Sequence, residues 1–234
     1  MKKYLTLLLT SLCLFSCDPA ALDKLMQSVP LSNVDVANGL KEALNFGVDD
    51  AVKFLSAEDG YFGSPYKILL PAEARKVTDK LQKVPGFRNI ETEIVKKINR
   101  AAEDAAKSAG PIFLSAIKNM SFDDAMNILM GQQNAATQYL NRNTNTALYG
   151  EFSPVINKSL DKYNALGYWA DAVNSYNKIP FVDKINPDLG DHITTKALEG
   201  LFSLVEQKEK GIRTDLSQRT TELLKKVFQK QDGQ

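Results

Sequence analysis

From Ser32 onward the apolar positions recur at helical spacing, with little sign of strand alternation. Val36, Leu40, Leu44 and Val48 fall four apart behind Ser32 and Asp35, which have the three-residue spacing of a capping box. Gly47 is a candidate stop. Asp49 or Asp50 would then cap a short second helix carrying Val52 and Leu55, the alternative being one bent helix. Over residues 57–71 the pattern breaks. Gly60, Gly63 and Pro65 mark turns, yet Tyr61, Phe62, Tyr66, Ile68, Leu69 and Leu70 are too apolar for a freely solvated loop. The expectation is an ordered loop folded back on the helices, with a short strand at 67–70. Pro71 suits the first position of a helix reaching about Val84, before the turn at Pro85 and Gly86.

A long helix follows over 89–109, its stripe of Ile94, Ile98, Ala101, Ala105 and Ala109 small enough to let a neighbour come close, which places it at the centre of a bundle. Gly110 and Pro111 break or kink it, and Ile112, Phe113, Ala116, Ile117 and Met120 continue an apolar face. Ser121 reads as the N-cap of the next helix, whose face of Ala125, Leu129, Ala136 and Leu140 runs on until the polar "NRNTNT" at 141–146. The last third reads as helices over 153–166, 168–178, 189–210 and 216–229, punctuated by Pro180, Pro187 and Gly211. Asp215 and Gln218 have capping-box spacing for the last of them. No fixed-period repeat and no sustained heptad is present. The expected fold is all-α, a single bundle of about eight or nine helices over 32–230 with one ordered apolar loop at 57–71 and a disordered tail at 231–234.

The amino-terminal segment changes the picture. Lys2 and Lys3 precede an apolar run, Leu5 to Phe15, too short to span a bilayer as a mature helix, and Leu14, Phe15, Ser16 and Cys17 resemble the cleavage box of a bacterial lipoprotein. Phe15 is bulkier than usual at the tolerant position of that box. The alternatives are an ordinary secretory signal cut near the same place, or a buried core helix. The favoured reading makes 1–16 a signal peptide, Cys17 the lipidated residue and 17–31 a tether containing a short amphipathic piece at 21–26. Cleavage before Cys17 would remove Cys13, Lys2 and Lys3; taking two from the 29 basic side chains leaves 27 against 28 acidic ones, a net charge of −1. With Cys17 acylated, no thiol is left for a disulfide, a nucleophile or a metal.

Composition narrows the classes further. The whole chain carries 29 basic and 28 acidic side chains, with no basic excess to attract nucleic acid. Hydrophobic residues at 44% and charged residues at 24% fit neither disorder nor a polytopic membrane protein.

Several polar groups could carry chemistry. Asp123 and Asp124 are adjacent, about 100° apart on a helix, and acids in a first turn complement the helix dipole, so capping is the expected role. Asn99, Arg100, Glu103 and Lys107 can pair along one helix face. That face is a solvated row, or a ligand site, or a buried network packed against Asn134, Thr137 and Tyr139. Glu58, Asp59 and Tyr61 sit in the ordered loop, where a site is common, but the same letters make a turn and no further acids follow at calcium-loop spacing. His192 is the only histidine; no second His or Cys supports a metal, and no G-x-S-x-G supports a triad. It is expected to be exposed at a helix start. Tyr61, Phe62, Tyr66, Tyr163, Tyr168, Trp169 and Tyr176 read as core and rim, the alternative being a platform for headgroups or glycan.

The blocks "GLKEAL" at 39–44, "DGY" at 59–61, "NRAAEDAA" at 99–106, "FDDAMNILMG" at 122–131, "AATQYL" at 135–140, "KALEGLF" at 196–202 and "IRTD" at 212–215 follow one another along the chain. In these blocks and their order the chain resembles the DUF4197 family of bacterial envelope proteins. Leu216 departs from it, where members often have proline after the Asp. The resemblance implies a secreted or lipid-anchored helical domain and supplies no catalytic residues. The sequence-based expectation is a lipid-anchored envelope protein, facing the periplasm, that binds an envelope protein, lipid or glycan without catalysis, metal or cofactor. The alternatives are a carboxylate-dependent hydrolase acting on an envelope substrate, or a purely structural protein. Asp18 after the anchor resembles a signal for retention in the inner membrane, but sorting rules differ between bacterial groups, so inner and outer membrane both stay open.

Overall fold

The computed structural model describes residues 32–82, 88–162, 165–182, 184 and 189–229. The expected signal peptide, Cys17, the tether and the tail at 231–234 lie outside these residues. Among the described residues nine α-helices follow one another: α1 Asn33–Leu55, α2 Ala72–Leu81, α3 Ile90–Ala106, α4 Ala109–Asn119, α5 Phe122–Leu129, α6 Ala135–Lys162, α7 Ala165–Asn177, α8 Gly190–Thr214 and α9 Glu222–Phe228, with a 3₁₀ turn at Leu216–Gln218. No strand occurs among them. Helices α3, α6 and α8 form the centre, and α1 lies across α4, α5, α8 and α9. One apolar cluster runs through all of these elements.

Local signals account for most of the element starts. Ser32 and Asp35 close a reciprocal capping box on α1, and Ser121 with Asp124 does the same on α5. The Ser32 hydroxyl and N–H hold the Asp35 carboxyl below its ordinary range. On α3, Ile94, Ile98, Ala101, Ala102, Ala105 and Ala106 are buried, and the four alanines present so little bulk that α6 packs closely against this face. The break between α3 and α4 falls at Lys107 and Ser108, so Pro111 sits in the first turn of α4, where its missing N–H has no helical partner to lose.

Three boundaries differ from the sequence reading. Gly47 does not stop α1, which runs unbroken to Leu55. The polar run at 141–146 does not end a helix but lies inside the 28-residue α6. Its buried positions, Ala136, Leu140, Thr144, Leu148, Phe152, Ile156 and Leu160, keep a four-residue period, and Thr144 carries the stripe through the run by donating its hydroxyl to the Leu140 carbonyl at 2.6 Å. Pro154 is tolerated because it and Gly150, whose carbonyl it leaves without its usual helical donor, are both exposed. Asp215 caps only the 3₁₀ turn, donors coming from Ser217, while Thr221 caps the last helix.

Residues 67–70 are extended without being a strand. Their partner is a side chain: Asn99 accepts the Ile68 N–H and donates to the Ile68 carbonyl, both at 2.8 Å. Among the described residues no helix is long and apolar enough to cross a membrane.

Candidate functional site

Two sets of candidates that are distant in sequence meet at one place. Glu103, buried on α3, accepts the backbone N–H groups of Tyr61 and Phe62 at 3.2 Å each and receives Arg100 on its other oxygen. Arg100 extends outward to Asp59 at 2.8 Å and Glu58 at 3.1 Å. The Glu58 side chain is 83% exposed, so that outer contact contributes little. Lys107 pairs with Asp104 at 2.8 Å. Arg100 and Glu103 thus form a partly buried ion-pair network with the loop, Asn99 holds the same loop separately at Ile68, and all three sit beneath residues 57–71 and not against Asn134, Thr137 and Tyr139.

Tyr61 anchors the loop. It is fully buried, donates its hydroxyl to the Ala197 carbonyl on α8 at 2.7 Å, and burial together with Glu103 pushes its phenol far up, so it stays a proton donor. Gly200 lies under its ring, where an added Cβ would sit 3.0 Å from Tyr61 Cε1. His192 is half-buried, with Nε2 3.2 Å from the Leu69 carbonyl, so it fastens the same loop instead of standing free as the sequence suggested. Asp59 adopts the left-handed region at φ 65°. At Gly60 a Cβ would lie 2.3 Å from the Phe54 carbonyl oxygen and 2.7 Å from that of Leu55. Gly60→Ala is therefore expected to lower stability by about 1–3 kcal/mol, read as an earlier urea midpoint with an unchanged slope.

Thr137 belongs to a second junction that sequence reasoning missed. Glu209 on α8 accepts the N–H groups of Ala136 at 2.9 Å and Thr137 at 2.8 Å and the Thr137 hydroxyl at 2.7 Å. Those amides are in the first turn of α6, so a carboxylate from another helix caps it. Arg213, one turn on from Glu209 and paired with it at 2.9 Å, donates to the Ile128 and Leu129 carbonyls that end α5. Arg219, 2% exposed, donates to the Ile212 and Arg213 carbonyls that end α8, and both guanidinium groups lie within 6 Å of the Phe228 ring centroid, at 5.9 and 5.8 Å. A signal existed in the sequence: the apolar stripe of Ala197, Leu201 and Val205 continues at Glu209 and Arg213, placing the charged pair on the core face.

Asn134 and Tyr139 join neither junction. Asn134 donates to Glu206 at 3.4 Å and accepts from Gln138 at 2.9 Å, while Tyr139 lines an open depression with Ile112 and Asn143. Asp123 and Asp124 are first-turn acids of α5. Among the aromatic candidates, Trp169 and Tyr176 are buried and Phe62 and Tyr66 pack partly into the core. Tyr163, and the side chain of Tyr168, lie outside the described residues. Among the described residues no group of three or more His, Cys, Asp or Glu side chains is placed to hold a metal ion.

One of several open depressions among the described residues is a groove of about 370 Å³ between α6 and α8. The two helices are antiparallel here, since Thr137 meets Glu209 and Tyr149 meets Asp191. One wall is Gln138, Asn141, Asn145 and Tyr149; the other is Thr195, Glu199, Ser203 and Glu206; Leu198 and Phe202 form an apolar floor. The polar run that looked like a helix end thus supplies one wall. No curated protein and no solved structure matches the chain. The family model described as a protein of unknown function (DUF4197) matches residues 30–229, most of the sequence, and the chain belongs to that family.

Proposed function

We propose that this protein is a lipid-anchored component of the bacterial cell envelope, held through an acylated Cys17 with its helical domain facing the periplasm, and that the domain binds a partner without catalysis. The observation that carries the binding reading is the α6/α8 groove. It joins an apolar floor to two polar walls and is of the size ligand sites commonly have. The arrangement of the acids supports the same reading. Both oxygens of Glu103 and of Glu209 are taken by N–H donors, and each carboxylate fixes a junction between elements. Neither of these two buried carboxylates is therefore placed to serve as the general acid of a hydrolase.

The anchor is supported by the Leu14, Phe15, Ser16 and Cys17 box behind a basic, apolar leader. Two or three acyl chains, at about 0.8 kcal/mol per buried CH₂, would hold the protein on a membrane almost permanently. Cys17→Ala is expected to leave unprocessed precursor or release the protein into the soluble fraction. A correctly cleaved Cys17→Ala product that stays in the membrane fraction would overturn the anchor. Turnover of envelope esters, amides or glycosides by the purified domain, lost in Glu103→Gln, would overturn the non-enzymatic reading.

A further inference from the structure

Accepting the groove as the binding site, we infer that its occupant is an extended peptide segment of a partner protein, bound through its main chain by the α6 amides and carrying basic side chains toward Glu199 and Glu206. Three observations carry this.

The first is chemical complementarity. Gln138, Asn141 and Asn145 follow one another at three- and four-residue spacing, one above the next along α6. Each carries an acceptor and donors on one planar group, the set needed to meet a peptide C=O and N–H together. Gln138 already donates to Asn134, whereas among the described residues the Asn141 and Asn145 amides form no hydrogen bond. Asparagine is a poor helix former, and the solvent side of α6 would be more stable with alanine, lysine or glutamate. The run carries two of these amides on the groove wall instead.

The second is a precedent inside the molecule. Asn99, also on a helix, holds the extended segment 67–70 by accepting the Ile68 N–H and donating to the Ile68 carbonyl, both at 2.8 Å. The same side chain type on the same kind of scaffold therefore already recognises extended backbone in this fold. Successive residues on one side of an extended chain repeat at about 6–7 Å, close to the roughly 6 Å that separates Asn141 from Asn145 over one helical turn.

The third is charge. Among the described residues, the only charged side chains lining the groove are Glu199 and Glu206. Glu199 shares an exposed ion pair with Lys196 and Glu206 accepts Asn134 at 3.4 Å, contacts weak enough for a basic ligand to displace. Seven residues of helix separate the two acids, about 10 Å, a gap that long lysine side chains on one face of an extended chain, about 7 or 14 Å apart at their roots, can match. From Gln138 to Tyr149 the wall runs about 16 Å, room for about five residues. A neutral sugar could donate its hydroxyls to both the amides and the carboxylates but would leave two negative charges uncompensated, whereas a basic peptide neutralises them.

The test is a titration of the whole mature chain, followed by NMR of its backbone and side-chain amides. The probe is an acetylated and amidated nonapeptide of alanine and serine with lysines at its third and seventh positions, which an extended chain carries on one face. The same peptide with glutamates in place of the lysines, and a tetrasaccharide of N-acetylglucosamine, are run beside it. The inference expects saturable shifts of the Asn141 and Asn145 side-chain amides and of Thr195 to Glu206 with the lysine peptide. It expects no such shifts with the glutamate peptide. Asn141→Ala with Asn145→Ala, an exposed and a half-buried position whose replacement is expected to leave the fold intact by circular dichroism, should weaken binding by about tenfold or more. Glu199→Gln with Glu206→Gln should weaken it by a similar factor. Lysine-peptide binding that survives both double substitutions is unspecific and overturns the inference. Saturation by the tetrasaccharide alone overturns the peptide assignment while leaving the groove as the site. Silence of the groove toward all three probes overturns the groove as well.

Discussion

Glu209→Ala is expected to lower the stability of the domain by about 3–5 kcal/mol, the cost of removing one partner from a buried, hydrogen-bonded ion pair. The Glu209 and Arg213 side chains are 5% and 4% exposed, so water cannot replace the lost carboxylate. Its loss strands the Ala136 and Thr137 amides, the Thr137 hydroxyl and the Arg213 guanidinium together. Against a total of about 5–15 kcal/mol for an ordinary domain, this is enough to unfold a fraction of molecules near physiological temperature. Urea unfolding by far-UV circular dichroism should show a markedly earlier midpoint. Glu209→Gln keeps an acceptor for the helix amides and should cost less. Arg213→Met in the Glu209→Ala background should recover part of the loss, because it removes the uncompensated charge. If Glu209→Ala melted with the wild type, the junction between α5, α6 and α8 would be a packing contact, with no role for the ion pair.

What was legible beforehand follows the range of the interactions involved. The Ser32 and Ser121 caps were readable because a capping box closes within three residues, and the stripe on α3 because burial repeats each turn. The passage of α6 through 141–146 was not, because a helix of that composition is held by tertiary burial of one threonine per two turns and not by local propensity. Asn99, Arg100 and Glu103 and, separately, Glu58, Asp59 and Tyr61 were visible as candidates from their chemistry. That they meet at one loop was hidden, since about forty residues separate Arg100 and Glu103 from the loop groups they bind. Glu209 escaped because helical charge pairs at four-residue spacing are usually solvated; only its position on the apolar period marks it as buried.

The second large effect is expected at Glu103, and it should differ in kind. Glu103 does not cap a helix in the middle of the bundle. It binds the Tyr61 and Phe62 amides of the 57–71 loop, and Arg100 on its far oxygen is itself 18% exposed. Glu103→Ala therefore leaves two buried amides without an acceptor, but its former cation can turn to Asp59, Glu58 and water. The expected loss is about 2–4 kcal/mol, borne first by the loop and only then by the helices. Amide hydrogen exchange should accelerate over 57–71, and above all at Tyr61 and Phe62, while the core of α6 exchanges nearly as in the wild type. Tyr61→Phe, which removes only the bond to the Ala197 carbonyl, should reproduce the pattern at about 1 kcal/mol. Because this loop rests on α8 through Tyr61 and the groove is built on another face of the same helix, the lysine peptide should still bind Glu103→Ala. Loss of that binding would mean that the loop sets the position of α8 and so the width of the groove.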